Sequence, residues 1–406
     1  MNITIKKSAA LFFSILATFN LSNAQDDKSN LLGQINTITT AVPFLMISPD
    51  ARAGGMGDAG VASSPDANSI AWNPAKLAFM EKNFGFSLSY TPWLRQLVND
   101  INLSYLSGYI KLKKDQTLGA SLRYFSLGNI DFTDNAGNSL GSFNPSEFSF
   151  DAAYARKLSD NFSGGIALRY IHSNLTGGIL VDNNASKAGN SVAADISVYF
   201  QKPVTVSKKD ATFALGLAIT NIGSKISYTE TGDKDFIPIN LRLGPSLKIK
   251  LNDYNELAFL LDINKLLVPT PPIYSDSTDK ITGEQAILFG KPSDVSVPSG
   301  IFQSFSDAPG GFKEELKEYN LCGGMEYWYD KQFAFRAGYF FEAATKGNRK
   351  YFTLGAGVRY SVFGLDFAYL IPTEQRNPLE NTLRFTLSFD FSSSKGDSSD
   401  KEETTE

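Results

Sequence analysis

The stretch LRFTLSFDF, residues 383–391, alternates apolar and polar side chains without a break. Successive side chains of a β-strand point to opposite faces, so this segment has one face of Leu and Phe and another that carries Arg384 and Asp390. The same alternation occurs in TLGASLRYF (117–125) and FGLDFAYL (363–370). We therefore predict strands with one apolar face and one charged face.

Similar runs recur from residue 84 to residue 391, most of them near the length that a tilted strand needs to cross a membrane. The predicted strands are 84–90, 100–112, 117–127, 146–157, 162–173, 190–201, 212–221, 238–250, 255–265, 321–329, 333–342, 351–360, 363–370 and 383–391. No run of eighteen apolar residues follows the N-terminal leader, so no transmembrane helix is expected.

The polar parity of these runs carries charge in strand after strand. The charged residues are Arg123, Asp151, Arg169, Asp195, Arg242, Asp262, Arg336, Arg359, Asp366, Arg384 and Asp390. The strands of a soluble β-sandwich would also alternate apolar and polar side chains. In a membrane barrel, however, the charged side chains would face a polar lumen and the apolar side chains would face lipid. The pattern favours the barrel.

Connections between the runs are alternately short and long. The short ones are 113–116, 159–161, 252–254, 330–331 and 361–362; the long ones are 91–99, 128–145, 174–189, 222–237, 266–320, 343–350 and 371–382, and 202–211 is intermediate. Outer-membrane barrels place short turns in the periplasm and long loops outside, and an even strand count leaves both termini periplasmic. We predict an all-β, fourteen-stranded antiparallel transmembrane β-barrel in the cell outer membrane.

The chain begins with Lys6 and Lys7, an apolar stretch and then Ser22-Asn23-Ala24, which predicts a signal peptide over residues 1–24. Residues 25–82 precede the first strand and are expected to form a periplasmic or lumenal plug segment. The barrel then covers 83–391, and a polar tail covers 392–406.

The stretch GGMGDAG (54–60) contains G-x-G-x-x-G, the spacing of dinucleotide-binding loops. That function needs a preceding buried strand and a following helix, which Pro49, Pro65 and Pro74 oppose. We instead expect the glycines to allow the plug to approach the inner wall closely, with Asn73 as a helix cap and Pro74 at the first helical position. The residues assigned to plug packing are Gly54, Gly55, Gly57, Gly60, Asn73 and Pro74.

The remaining composition offers little for catalysis, metals or nucleic acid. The net charge is −4, which gives no support for a nucleic-acid partner, and the single Cys322 permits no intramolecular disulfide. His172 is the one histidine and falls on the lipid-facing parity. The acidic stretches 131–139 and 181–191 fail the EF-hand spacing, so neither a metal nor a cofactor is predicted.

Two of the long connections are too apolar for solvated loops, and exposed apolar clusters mark protein contacts. The residues assigned to partner binding are Trp93, Leu94, Leu97, Ile287, Phe289, Ile301, Phe302 and Phe305. The alternative is that the long loop, 266–320, folds over the barrel mouth and buries its own apolar residues.

The block ARAGGMGDAGVASSPDANSIAWNPAKLAFM (51–80), followed by a barrel, resembles the PorV family of type IX secretion barrels, within the wider group of FadL-like fourteen-stranded barrels. The specific part is RAGGMGDAGVA with the later NPA. The resemblance implies a non-enzymatic shuttle in outer-membrane lipid. Such a protein associates with the translocon barrel SprA, binds C-terminal signal domains of cargo proteins, and delivers cargo to the PorU sortase of the attachment complex.

Two other functions stay open at this point. FadL-like barrels also transport hydrophobic small molecules, and a plug with an apolar loop could form a ligand pocket. The third possible function is that of a lipid hydrolase. His172 is poorly placed as a general base, however, and we expect Cys322 to be a small packing residue.

Overall fold

The computed structural model describes residues 35–392, apart from 96, 97, 99, 134–136, 138, 179, 182–183, 230–233, 279–284 and 375–376. The predicted signal peptide, residues 25–34 and the tail from residue 393 lie outside the described residues. None of the helices in the described part of the chain is long and apolar enough to cross a membrane.

The described residues form twenty strands and several short helices. The strands are β1 (Phe84–Pro92), β2 (Asn102–Lys113), β3 (Gln116–Ser126), β4 (Ile130–Thr133), β5 (Ser139–Phe143), β6 (Ser146–Lys157), β7 (Phe162–Asn174), β8 (Leu180–Val181), β9 (Asn184–Ala185), β10 (Gly189–Val206), β11 (Lys209–Gly223), β12 (Asn240–Lys250), β13 (Asn255–Leu266), β14 (Ile273–Thr278), β15 (Gln285–Phe289), β16 (Tyr319–Tyr329), β17 (Phe333–Phe341), β18 (Lys350–Tyr360), β19 (Phe363–Pro372) and β20 (Leu383–Phe391). The α-helices are Ala51–Gly54, Ser69–Trp72, Val297–Gln303 and Phe312–Glu315, and the 3-10 helices are Pro43–Met46, Pro74–Phe79, Leu316–Glu318 and Ala344–Lys346.

Fourteen of these strands close into one barrel, in the order β1, β2, β3, β6, β7, β10, β11, β12, β13, β16, β17, β18, β19 and β20. The first strand closes the ring by pairing antiparallel with the last, from Phe84 opposite Phe391 to Tyr90 opposite Phe385. Closure pairs the backbone groups of every wall strand, which lipid requires because it offers no hydrogen-bond partner. The predicted fourteen-stranded antiparallel barrel is confirmed.

The two faces of the wall separate as the alternation predicts. Leu168 in the middle of β7 is 66% exposed on the outer face, whereas its neighbour Arg169 is buried on the inner face. Arg169 lies directly opposite Asp151 of β6, and their side chains form an ion pair. Charges therefore line the lumen, and the apolar face of the wall meets lipid.

The turn after β10 differs from the expectation for residues 202–211. There β10 and β11 continue as a long hairpin joined by Ser207 and Lys208 alone, both with positive φ (50° and 66°). Two such residues match the right-handed twist of a hairpin. The sequence hides this pairing because Pro203, which lies opposite Thr212, interrupts the hydrophobic pattern.

The opposite end of the barrel carries the long loops, and several of them contain secondary structure of their own. Three loops contain a hairpin, namely β4–β5, β8–β9 and β14–β15. The longest, between β13 and β16, adds the helices Val297–Gln303 and Phe312–Glu315. We refer to the two ends as the turn end and the loop end; the loop end is extracellular in this class of barrel.

Because the outer face of the wall meets lipid, a charged residue placed there should lower the free energy of unfolding, and by more the deeper it lies in the membrane. Leu168→Arg, at the middle of β7, should lower the free energy of unfolding by about 2–4 kcal/mol, and Leu158→Arg, at the turn end, by about 0–1 kcal/mol. The two leucines are matched in exposure, at 66% and 63%. Guanidinium unfolding in phospholipid vesicles measures both values, and equal costs would contradict the assignment.

Candidate functional site

The chain before the first wall strand runs against the inner face of the barrel. We call residues 35–82 the inner segment. It begins at the loop end, where the Asn36 backbone N–H donates to the Thr345 carbonyl (2.9 Å), and it ends at the turn end, where Asn83 donates to Phe391 (3.0 Å). The barrel's first strand begins and its last strand ends at the turn end, as the even strand count predicts. Residue 35, however, lies at the loop end, because the inner segment runs from one end of the barrel to the other.

Near the loop end, the inner segment contributes to an apolar layer. Phe44 and Leu45 are buried there with Leu103 and Phe125 of the wall and Phe236 of a loop. The Arg123 guanidinium lies beneath this layer and donates to the Leu45 carbonyl (2.6 Å). Hydrophobic packing therefore covers the lumen on the loop side.

The glycines of GGMGDAG lie where backbone meets backbone or a large side chain. A Cβ added to Gly57 would lie 2.6 Å from Tyr339 N, and this residue has a φ of +67°, which favours glycine. Gly55 lies against Gly355, with 3.1 Å between the Cα of Gly355 and the position of an added Cβ. Gly54 faces the side chain of Arg384, and Gly60 faces the ring of Trp72.

The barrel wall also has glycines where it contacts the inner segment, and the alternation pattern did not single them out. The inward-facing glycines at which an added Cβ would meet the backbone of the inner segment are Gly165, Gly216, Gly324, Gly338 and Gly355. A Cβ on Gly324 would lie 2.6 Å from the Met56 carbonyl oxygen, whereas one on its neighbour Gly323 would meet nothing within 4 Å. Glycine on both surfaces allows the two backbones to approach.

Asn73 begins the 3-10 helix Pro74–Phe79, with Pro74 at its first position. Its side-chain oxygen accepts from the Ala75 N–H (3.0 Å), and its amide nitrogen donates to the Val61 and Val198 carbonyls (3.1 and 3.0 Å). One fully buried side chain thus caps a helix, closes a loop of the inner segment and binds the wall.

Charged side chains join the inner segment to the wall. Arg52 donates to Glu326 of β16 (2.9 and 2.8 Å) and to Asp66 (2.8 Å). Arg336 of β17 donates to the same Glu326 (2.8 Å) and to Asp366 of β19 (2.9 Å). Each of these charges except Asp66 is buried, so each depends on its partners for stability.

Two further carboxylates extend this pattern around the lumen. Asp58 of the inner segment pairs with Arg384 of β20 (2.9 Å) and accepts from the Tyr351 hydroxyl (2.6 Å). Asp262 of β13 accepts from the backbone N–H groups of Gly60 and Val61 (2.7 and 2.8 Å). The sequence identified the wall charges but not Arg52, Asp58 or Glu326, because only the fold brings them together.

Two cavities lined by described residues could hold a small molecule. One of about 440 Å³ lies at the turn end and is lined by charged residues such as Arg52, Asp66 and Lys248 together with apolar ones such as Phe79 and Leu260. The other, of about 240 Å³, lies at the loop end between residues 39–43 and Tyr228. Pockets for small ligands are typically 300–1,000 Å³ and mostly apolar, and neither cavity meets both conditions.

The loop-end residues assigned to partner binding divide into an outward set and an inward set. Phe302 is 78% exposed, and Phe305 and Ile287 are also exposed. The inward set comprises Ile301 and Trp93, which pack against the apolar layer described above. One side of the helix Val297–Gln303 therefore packs against the apolar layer, and another side faces water.

The other loop residues assigned to partner binding occupy less exposed positions or lie outside the described residues. Phe289 is partly buried and lies opposite Ile273 in the β14–β15 hairpin. Leu94 is partly buried and has a positive φ of 50°, which is unusual for leucine. Leu97 lies outside the described residues.

His172 and Cys322 lie on different strands and face opposite sides of the wall. Nδ1 of His172 lies 2.9 Å from Oδ1 of Asn190 on the outer face, beside the ring of Phe148. The Cys322 thiol is buried on the inner face and accepts a hydrogen bond from Asn264 (3.1 Å). A nucleophile and a base would need to be within hydrogen-bond reach, and these two are not paired.

The neighbouring glycines of β16 test the close approach of the inner segment. Gly324→Ala should lower the free energy of unfolding by about 1–3 kcal/mol, because its methyl group overlaps Met56, which cannot move without displacing the segment. Trypsin should then cleave faster at Arg52 and Lys76. The control Gly323→Ala should change stability by less than about 0.5 kcal/mol. Equal behaviour of the two variants would contradict the packing.

A family model described as "Type IX secretion system protein PorV" matches residues 30–273. No curated protein matches the chain. The fold is similar to solved structures of the toluene transporter TbuX of Ralstonia pickettii (11% identity, 86% of this chain, 99% of that chain, TM-score 0.43), the toluene transporter TodX of Pseudomonas putida (11%, 87%, 98%, 0.45) and a FadL homologue of Pseudomonas aeruginosa (11%, 88%, 99%, 0.41). The family match covers more than half of the chain, which therefore belongs to the PorV family of type IX secretion system proteins.

Proposed function

We propose that this outer-membrane barrel binds the C-terminal signal domains of cargo proteins at the type IX translocon and carries them to the surface attachment complex. The family assigns the chain to type IX secretion, and shuttling is the finer role that we add. The observation that carries the proposal is the set of exposed apolar side chains presented by the longest loop at the loop end of the barrel.

These side chains form what we call the outer aromatic surface, defined as Phe302, Phe305, Phe312 and Leu316. Large exposed apolar groups on a soluble loop cost solvation free energy, and aromatic side chains dominate binding energy at protein interfaces. The helix that bears Phe302 is anchored from below, because Ile301 packs against the apolar layer and Gly300 lies against Phe236. A fixed base suits a binding surface, since less conformational entropy is lost on binding.

The proposed partners are the translocon barrel SprA, cargo signal domains and the PorU sortase. Trp93 and Leu94 belong to the first loop of the same end, where Trp93 packs against the apolar layer and both side chains are partly buried; we propose their exposed parts as a second contact region. Both regions lie on the extracellular side, where an exported cargo domain would emerge. This placement supports binding of cargo after, rather than before, it crosses the membrane.

We also propose that the inner segment is a plug that closes the lumen. Support comes from its hydrogen bonds to wall strands spread around the circumference: Ser87 of β1 donates to Asn68, Ser163 of β7 donates to the Ala75 carbonyl, and Asp262 of β13 accepts from the Gly60 N–H. A sealed lumen fits a shuttle that holds cargo on its outer surface. Transport of a hydrophobic small molecule, the alternative function, gains no support from the polar character of the larger cavity.

The outer aromatic surface can be tested with matched substitutions. The double variant Phe302→Asp, Phe312→Asp should reduce surface delivery of several unrelated cargo proteins by at least about tenfold, the loss expected when more than 1.4 kcal/mol of binding free energy disappears. The measurement is the amount of cargo at the cell surface and in the medium. The barrel should keep its heat-modifiable migration, which shows that it is assembled.

Tyr360→Asp provides the control, because Tyr360 is 78% exposed, as is Phe302, but lies at the turn end. Cargo delivery should be unchanged in this variant. Normal delivery in the double variant, with the protein present at wild-type levels, would exclude the surface from cargo handling.

A further inference from the structure

Basic side chains collect where the lipid-facing surface ends at the turn end of the barrel. On β10 the outward apolar residues run from Val192 to Phe200, and the next outward residue is Lys202. On β6 the outward apolar residues end at Tyr154, and the next outward residue is Arg156. These two basic residues therefore lie at the boundary between the apolar band of the wall and the water beyond it.

Two further strands end in the same way. Leu112 is exposed on the outer face of β2, and Lys113 and Lys114 follow it directly. Ile249 is the last outward residue of β12, and Lys250 follows it. We call the five basic residues at these four strand ends the basic arc, and all of them are exposed: Lys113, Lys114, Arg156, Lys202 and Lys250.

The basic arc occupies one side of the barrel. Strands β2, β6, β10 and β12 are joined in the ring through β3, β7 and β11, so their turn-end termini follow one another around the rim. Arg156, for example, lies opposite Gln116, which in turn pairs with Lys113. The β10–β11 hairpin adds Lys208 and Lys209, both exposed, at its tip.

The remaining strands that end at the turn end carry no such excess of positive charge. Strand β16 is followed by Asp330 and Lys331, whose charges cancel, β18 by Ser361 and β20 by Ser392. On this side the boundary carries exposed aromatic rings, such as that of Tyr360. The whole chain has a net charge of −4, so the basic arc is a local arrangement that does not follow from composition.

Most of this positive charge is not neutralised within the described part of the chain. Arg156 pairs with Asp115 (3.4 Å) and Lys250 with Asp253 (3.0 Å), and both pairs are exposed, where ion pairs contribute little. None of the other lysines at this rim forms an ion pair with a described carboxylate, and two exposed acids offset only part of their charge. The five lysines are Lys113, Lys114, Lys202, Lys208 and Lys209, and the two acids are Asp160 and Asp210.

The position of this charge selects the kind of partner. In this class of barrel the short turns face the periplasm, so the basic arc lies level with the headgroups of the inner leaflet. A lysine at such a boundary can lay its alkyl chain along apolar surface while its ammonium group stays among the headgroups. Basic side chains form charge-assisted hydrogen bonds with phosphate oxygens, and each one near an anionic membrane surface favours binding.

We propose that the basic arc binds anionic phospholipids of the inner leaflet and holds them on one side of the barrel. Zwitterionic phospholipids carry the same phosphate without a net charge, so the basic arc distinguishes headgroups by charge. A soluble acidic partner fits less well, because Arg156 and Lys202 share the outward face with Tyr154 and Phe200, which contact lipid. The site lies at the end of the barrel opposite the outer aromatic surface and does not depend on cargo handling.

The test measures the lipid that remains with the purified full chain in detergent. Equal amounts of phosphatidylglycerol and phosphatidylcholine are added, and the lipid that co-elutes with the barrel in size-exclusion chromatography is quantified. The wild-type chain should retain more phosphatidylglycerol than phosphatidylcholine, and salt at about 1 M, which screens charges beyond about 3 Å, should remove the difference. In the variant Lys113→Gln, Lys114→Gln, Lys202→Gln, Lys250→Gln, retained phosphatidylglycerol should fall at least about fivefold, the effect expected of one basic residue near an anionic surface.

The matched control is Lys187→Gln, Lys291→Gln, Lys313→Gln, Lys317→Gln, which removes the same charge from exposed lysines at the loop end. It should retain phosphatidylglycerol as the wild type does. Equal retention of the two lipids by the wild type would overturn the proposal, as would wild-type retention in the basic-arc variant or an equal loss in both variants.

Heat-modifiable migration confirms that each barrel is closed before its lipid is measured. The wild-type preference and its salt dependence test the proposal even where a variant does not assemble. Because no cargo or translocon is present, the result is independent of the shuttle function.

Discussion

Glu326 accepts hydrogen bonds from Arg52 of the inner segment and from Arg336 of the barrel wall, and all three side chains are buried. Removing one member of such a buried group leaves an uncompensated charge, at a cost of about 3–5 kcal/mol. The inner segment and the wall therefore need one another, because each supplies the counter-charges that the other buries. A fourteen-stranded wall with this many inward charges is stable as a filled barrel.

Shape imposes a second requirement on the same interface. Glycines on both surfaces let the two backbones approach, at Gly57 with Gly338 and at Gly55 with Gly355, and the inner segment also forms ion pairs with the wall at N–O distances of 2.8–2.9 Å. The loop end follows a different principle, because there apolar residues such as Phe44 and Phe236 cover the lumen. The inner segment thus meets the wall through polar contacts in the lumen, whereas apolar residues pack together at the loop end, which also carries exposed aromatic side chains such as Phe302.

The sequence predicts the barrel well because alternation is a local property, and LRFTLSFDF (383–391) assigns each side chain to lipid or lumen by parity alone. It predicts the lumenal charges but not their partners: Glu326 meets Arg52, and Asp58 meets Arg384, because the inner segment runs inside the barrel. Likewise Ile301 and Phe302 are adjacent and equally apolar in sequence, yet one packs inward and the other faces water. That distinction depends on how the loop helix lies over the mouth, which no local pattern encodes.

Single-channel recording in planar bilayers tests most directly whether the inner segment fills and seals the lumen. The comparison is between the wild-type chain and a chain that lacks residues 45–80, each confirmed by heat-modifiable migration to be a closed barrel. We expect a closed or barely conducting wild-type barrel and a large, steady conductance after the deletion if the segment fills the lumen, because barrels of sixteen or more strands leave an aqueous channel and fourteen strands approach that width. Equal conductance of the two barrels would contradict it.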